Sequence, residues 1–361
     1  MKRLILAATA LLLAVALVAC GGESETKKPE AQKAEPAAAP APAPAPEKIE
    51  LTYANFPPAF TVPCVQMEHF KAEVEKRTGG QVSIATFPGG TLLGSKNMLR
   101  GVIEGQADIG CLSMSYQPGV FPLTTAVEMP VGFSSSKVGS MVLWDLYSAY
   151  RPAEFKDVRV LTMFTTPPSD IMSKTPVRSL AELKGLELRA SGTPATFLEL
   201  LGAAPVSMPM PETPDALQKN LVKGLFSSLE VMQDLKFAEL CKNVTFTDGP
   251  VYIFAVIMNK AKYEALPADV KKLFDDMGPE QALWTGQYWD SHVKEAMDWS
   301  MADQGVQTWT LTKSDRDAIA GLTAGIIDTW KAQATAAGLP ADEILQKMLD
   351  LKARTEAQFG K

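Results

Sequence analysis

Histidine and cysteine are scarce in this chain of 361 residues: two of the first, His69 and His292, and four of the second. No Cys-x-x-Cys pair occurs, so the soft ligands that close a structural zinc cage are missing. Gly-x-Ser-x-Gly, a Walker loop and His-Glu-x-x-His are absent as well. Ser134-Ser-Ser-Lys137 has the Ser-x-x-Lys spacing of serine acyl-enzymes, but no Ser-Asp-Asn or Lys-Thr-Gly follows it. Excess positive charge is lacking too. With 35 basic against 41 acidic residues the chain stands at −6, which argues against a nucleic-acid partner. No enzyme chemistry, metal or cofactor is expected.

What is present begins with an address. Met1-Lys2-Arg3 is a short basic start, and residues 4–19 are apolar except for Thr9. A run of this length after a positive start reads as a secretion signal, since a spanning helix needs about 20 apolar residues. It ends at Leu17-Val18-Ala19-Cys20, which resembles the lipobox of bacterial lipoproteins. That resemblance implies cleavage before Cys20 and acylation of its sulfur and new amino group, so that Cys20 anchors the chain to a lipid bilayer. An ordinary cleaved signal with an incidental Cys20 is the alternative. Loss of residues 1–19 removes Lys2 and Arg3 and takes the charge from −6 to −8. Residues 20–47 follow, with prolines alternating up to Pro46. Such a segment cannot form a core and stays extended, reaching roughly 80 Å at about 3.1 Å per residue. It is a tether.

From Lys48 the chain alternates strands and helices. Strand patterns occupy residues 48–54, 82–87 and 107–114, with helices between them, the βαβ order of a parallel sheet. Further strands are expected at 158–164, 186–189, 205–207, 224–227 and 252–259. Long helices are expected over 267–304, 313–337 and 341–357.

Five stretches resemble the solute-binding proteins of tripartite ATP-independent periplasmic (TRAP, DctP-type) transporters. They are Phe87-Pro-Gly-Gly-Thr-Leu-Leu-Gly94, Gly105-Gln-Ala-Asp-Ile-Gly110, the segment from Ser179 to Arg189, Leu201-Gly-Ala-Ala-Pro-Val206, and Ala216-Leu-Gln218 through Val222-Lys-Gly224. The resemblance spans about residues 48–340 and implies a two-lobed α/β fold of the type II periplasmic-binding kind, with crossover strands and a long lobe-spanning helix. Residues 48–166 plus about 252–294 would form the first lobe. Residues 167–251 plus about 295–361 would form the second lobe and the C-terminal helices. A ligand would lie between the lobes, to be handed to the small and large membrane subunits.

Arg189 ends a short strand just before Ala190-Ser-Gly-Thr-Pro194, where a helix begins. An arginine there presents a planar fork of donors that matches a carboxylate, as a lysine cannot. The resemblance implies this role. Departures from the family pattern shape the rest. Thr165-Thr-Pro-Pro-Ser169-Asp170 replaces a second arginine ahead of Lys174, Lys223-Gly-Leu-Phe-Ser227 replaces an Asp-Gly-x-x-Asn stretch, and Pro214 takes the place of a tyrosine. The expected site is therefore Arg189 with Ser169, Phe226 and Ser227, walled by Phe56 and Phe60, with Tyr53 and Trp144 as further apolar candidates. The expected ligand is a small monocarboxylate with an apolar or aromatic body.

With Cys20 lipidated, Cys64, Cys111 and Cys241 remain, an odd number. Cys64 and Cys111 either form a disulfide near the cleft floor or stay as separate buried thiols. The expected location is the periplasmic side of a bacterial membrane. A binding lipoprotein of an ATP-driven transporter and a ligand-sensing lipoprotein are the alternative readings.

Overall fold

A computed structural model describes residues 48–360. The first segment builds an α/β layer: β1 (Ile49–Asn55), α1 (Val62–Arg77), β2 (Val82–Phe87), α2 (Met98–Ile103), β3 (Ile109–Ser113), α3 (Ser136–Tyr150) and β4 (Val158–Thr165). The chain then enters a second layer through β5 (Ser169–Ser173), β6 (Glu187–Ala190), α4 (Gly192–Leu200), β7 (Ala204–Ser207), α5 (Thr213–Gln218), β8 (Gly224–Ser227), α6 (Val231–Asp234) and β9 (Asn243–Gly249). It returns with β10 (Ile253–Asn259) and α7 (Lys260–Ala265), then runs through α8 (Ala268–Gln304), β11 (Gln307–Thr310), α9 (Lys313–Thr323), α10 (Gly325–Ala336) and α11 (Ala341–Phe359).

Two sheets result, a five-stranded one in the order β2-β1-β3-β10-β4 and a six-stranded one in the order β11-β9-β5-β8-β6-β7. This is the two-lobed α/β architecture with crossover strands that the sequence led us to expect. The sheets are mixed rather than parallel. β10 is antiparallel to both β3 and β4, because the chain comes back from the second lobe against the direction in which it left. β5, β9, β11 and α3 are elements that the sequence reading did not locate. β5 is buried along its whole length, so it shows no alternation to read.

The two crossovers, after β4 and after β9, are tied to each other. Thr166 N donates to Tyr252 O at 2.9 Å, and Tyr252 N donates to Thr166 Oγ1 at 3.0 Å. Helix α8 is the third link. Its 37 residues span about 55 Å, and it packs on α1, α3 and β4 of the first lobe and on α6 of the second.

Residues 295–361 do not form one unit with the second lobe. β11 adds to the second sheet, but α11 packs on α3 of the first lobe, where Arg354 pairs with Asp145 and Tyr150 donates to Glu343 at 2.9 Å. The C-terminal helix thus belongs with the first lobe. Cys64 and Cys111 are free and buried, and Cys64 Sγ donates to Pro57 O at 3.1 Å. Burial pushes the Cys64 thiol up to about 12 and Cys111 well above its usual value.

Where α8 crosses α3 the two backbones nearly touch. A Cβ on Gly286 would meet Lys137 N at 2.8 Å and Ser136 O at 3.0 Å. One turn on, the Asp290 carboxylate accepts from Ser136 N at 2.8 Å and Lys137 N at 3.0 Å, capping the start of α3. Helix propensity alone favours Ala over Gly by about 1 kcal/mol. We expect the reverse here: Gly286→Ala destabilises by about 1–3 kcal/mol, the scale of overpacking against atoms that cannot move. Gly321→Ala in α9, with nothing within 4 Å of the new Cβ, should be neutral or stabilising. Urea unfolding of the two variants checks the sign.

Candidate ligand-binding site

Arg189 sits near the C-terminal end of β6, between β7 and β8, with Val206 and Leu225 as its register partners. It is 1% exposed. Nε donates to Met208 O at 2.9 Å and Nη2 to the Tyr116 hydroxyl at 3.0 Å, and the guanidinium carbon stands 5.9 Å from the Tyr252 ring centroid. Among the described residues no carboxylate forms a salt bridge with it. Two neutral oxygens and a ring face are poor compensation for a buried charge.

Arg189 lines a cavity of about 160 Å³ between the lobes. The first lobe supplies Phe56, Tyr116 and Phe254; the second supplies Ser227, Glu230 and Asp234; the crossover supplies Tyr252 and α8 supplies Trp289. Phe56 is stacked on Phe254 with centroids 6.4 Å apart and meets the Tyr116 ring edge-on at 5.6 Å. Trp289 is tilted against Phe254 at 5.9 Å. An apolar cavity of about 150 Å³ holds one benzene-sized body.

A larger cleft of about 700 Å³ opens on the other side of Tyr116, lined by α10 and the start of α4. Its only basic lining residue is Lys96, which pairs with Glu212 at the surface. Between the lobes in this cleft, Glu128 accepts from Ser115 and from Thr193 Oγ1, the latter at 3.0 Å. Burial pushes the Glu128 carboxyl up to about 7. The cleft's lining cation is thus exposed and already paired, whereas Arg189 is buried and unpaired among the described residues, so we take the smaller cavity as the candidate site.

The residues expected from sequence divide. Phe56 and Ser227 share the cavity with Arg189, and Pro214 lines it too. Phe226 does not: strand alternation turns its ring away from Ser227, onto Phe197 at 5.6 Å, and only its carbonyl reaches inward, accepting from Tyr252 Oη at 3.0 Å. Phe60 is 59% exposed and outside the cavity. Ser169 is buried at the start of β5, also outside it, with Oγ lacking a partner. Tyr53 points into the first-lobe core and donates to Gln66 at 3.1 Å, while Trp144 packs on Gly278 of α8. Cys20 lies outside the described residues. Tyr116, Tyr252, Phe254, Trp289, Glu230 and Asp234 escaped the sequence reading. They come from four separate segments, and none carries a local signal stronger than a core aromatic or a surface acid.

Over residues 56–333 the chain matches the family profile DctP, described as bacterial extracellular solute-binding protein, family 7. It is 24% identical over 266 residues to the 2,3-diketo-L-gulonate-binding periplasmic protein YiaO of Escherichia coli K12, covering 70% of this chain and 78% of that one. A TRAP periplasmic solute-binding protein from Desulfovibrio salexigens DSM2638 is 54% identical, with a TM-score of 0.78 over 87% of this chain and 98% of that one. That structure is an open complex with the C-terminus of a symmetry mate bound in the ligand-binding site. A marine metagenome TRAP solute-binding protein specific for aromatic acid ligands, in complex with 3-hydroxybenzoate, is 28% identical, with a TM-score of 0.81 over 86% of this chain and 99% of that one. The family match over residues 56–333 and the shared two-lobed fold show that this chain belongs to the DctP-type solute-binding proteins of TRAP transporters.

Proposed function

We propose that the chain captures a small monocarboxylate with an apolar or aromatic body and delivers it to the membrane subunits of a TRAP transporter, without chemistry of its own. One observation carries this reading: Arg189 is a buried guanidinium with no counterion among the described residues. Only part of its five-donor fork is used within the protein, so a carboxylate can complete it. The Desulfovibrio relative supports this, since a chain terminus bound in its site presents a carboxylate. The aromatic walls favour a ring over the polar body of a sugar acid such as the E. coli relative binds, and the aromatic-acid receptor agrees with that choice.

Capture follows from where the groups lie. Arg189 is on the second lobe, while the Tyr116 hydroxyl that it contacts is on the first and also accepts from Met210 N at 3.0 Å. A ligand held by Arg189 against Phe56 and Phe254 therefore bridges the lobes. Closure excludes water and strengthens the ion pair, while the short crossovers take up the rotation. The lipobox at Cys20 completes the proposal: the receptor is held at the periplasmic face of a membrane by acyl chains.

Titration calorimetry with benzoate and 3-hydroxybenzoate tests the core of this. We expect Arg189→Ala, checked for folding by circular dichroism, to lose at least about 2 kcal/mol, or roughly 30-fold, and Arg189→Lys to recover only part. Unchanged affinity in Arg189→Ala would sink the assignment; binding of sugar acids alone would sink the aromatic body. Cys20→Ala should move the protein from the membrane fraction to the soluble one.

Glu128 gives a pH dependence. Its carboxyl is raised by burial from the ordinary carboxylate range to about 7, so the native state holds its proton more tightly than the unfolded chain. That contribution is complete below about pH 4.5 and is lost as pH rises through about 7. The melting temperature of the ligand-free protein should fall between these limits, and fall less in Glu128→Gln. Asp170 and Glu230, also raised to about 7, leave a residual decline in the variant.

A further inference from the structure

The cavity has a second polar wall that the carboxylate reading does not use. Glu230 and Asp234, on either side of Val231, Met232 and Gln233, line the same space as Arg189, yet no salt bridge joins either of them to it among the described residues. Glu230 is 4% exposed; one of its oxygens accepts from Ser228 Oγ at 2.9 Å, and Oε2 has no partner. The Asp234 side chain is 5% exposed, with Oδ1 held by His292 Nε2 at 2.7 Å and Oδ2 without a partner. Two carboxylate oxygens are thus buried and idle in a cavity of about 160 Å³. The Trp289 indole N–H, buried and short of a full hydrogen bond, is near enough to Glu230 to lower its pKa, but it is one donor beside two acceptors.

Buried acceptors are rarely left idle, because each unpaired one forfeits its bonds to water. We propose that the ligand is an organic acid that also carries a hydrogen-bond donor, a hydroxyl or an ammonium, which Glu230 and Asp234 accept while Arg189 holds the carboxylate. This rests on the carboxylate reading of Arg189 and adds to it what the far side of the ligand must be. Asp234 already has His292 as its partner, so Glu230 is the acceptor with the most to gain. Burial, with the Asp234 charge adding to it, raises Glu230 to about 7, so its carboxyl holds a proton more tightly than an exposed one. A ligand donor takes the place of that proton.

The wall also discriminates. An acid without a donor leaves both oxygens unpaired, and a second carboxylate meets like charge at short range. A site built to hydrogen-bond a donor rejects the analogue lacking it more strongly than an apolar pocket rejects one extra group. Dicarboxylates are therefore disfavoured by Glu230 and Asp234 directly, apart from any missing second arginine.

A matched set of ring acids reads this out: benzoate, 3-hydroxybenzoate, 3-(aminomethyl)benzoate and benzene-1,3-dicarboxylate, titrated calorimetrically into the wild-type protein. At least one donor-bearing acid should bind about tenfold or more tighter than benzoate, with the dicarboxylate weakest. The better donor class tells hydroxyl from ammonium. In Glu230→Met that preference should shrink to within about threefold with benzoate binding retained, while Glu230→Gln should keep a hydroxyl preference and lose an ammonium one. Benzoate binding as tightly as both donor-bearing acids overturns the inference, as does a preference that survives in Glu230→Met. Binding that depends on Arg189 but ignores the donor overturns this inference alone. Failure of every acid to bind the wild type overturns the carboxylate reading, and this one with it.

Discussion

A guanidinium buried without a counterion among the described residues is the constraint around which the interlobe region is arranged. Desolvating such a charge costs several kcal/mol, and the protein offsets it only with the Met208 carbonyl, the Tyr116 hydroxyl and the face of Tyr252. Those three come from the loop after β7, from the first lobe and from a crossover. Each must be in place for Arg189 to be tolerated at 1% exposure. The charge therefore needs the lobes together, and it remains undercompensated until an anion arrives. An overall charge of −6 gives no long-range attraction to such an anion, so the affinity must be local.

Tyr252 joins this constraint to the hinge. Its backbone is tied to Thr166 in the other crossover, its hydroxyl donates to the Phe226 carbonyl, and its ring lies below the guanidinium. Rotation between the lobes must pass through a residue that also forms the cavity wall. Trp289 does the same for α8, packing on Phe164 and Phe254 of the first sheet while facing the site. Ligand occupancy and lobe angle are thus read by the same two side chains, and such shared elements couple binding to closure without any longer pathway.

The α/β order was legible in the strand-helix alternation of the first lobe, while the two lobes and the long helix joining them came from the family resemblance. Short strands buried on both faces, such as β5, carry none, and the placement of α11 on α3 depends on contacts between residues some two hundred positions apart. At the site, Arg189 was singled out by the family resemblance, since an arginine at a strand end is by itself as often a surface residue; its burial beside the cavity comes from the structure. Phe226 and Ser227 are adjacent, and the sequence could not say which of them faces the ligand; alternation along β8 gives the cavity to Ser227 and the core to Phe226. Phe60, an aromatic close to the first strand, is carried outward by the turn through Pro57 and Pro58. Glu230 and Asp234 read as ordinary surface acids, and only the packing of α6 on α8 buries them.

Charge accounting inside the cavity links these pieces. Arg189 supplies one positive charge, and His292, whose pKa is raised by its hydrogen bond to Asp234, can offset that carboxylate. Glu230 is left with no partner ion in a buried setting, where the cost of ionisation is high. A simple carboxylate ligand neutralises Arg189 and leaves Glu230 to be held neutral by protonation. A ligand with a donor neutralises Arg189 and satisfies Glu230 together, so its two ends are fixed by groups of opposite sign and its orientation is set. An apolar ring between two such ends needs no polar contact of its own, which is what Phe56 and Phe254 provide. On the proposed reading, one arginine suffices where the family resemblance would lead one to expect a second cation. The second anchoring point is then an acceptor, and a further cation there would compete with the ligand for it.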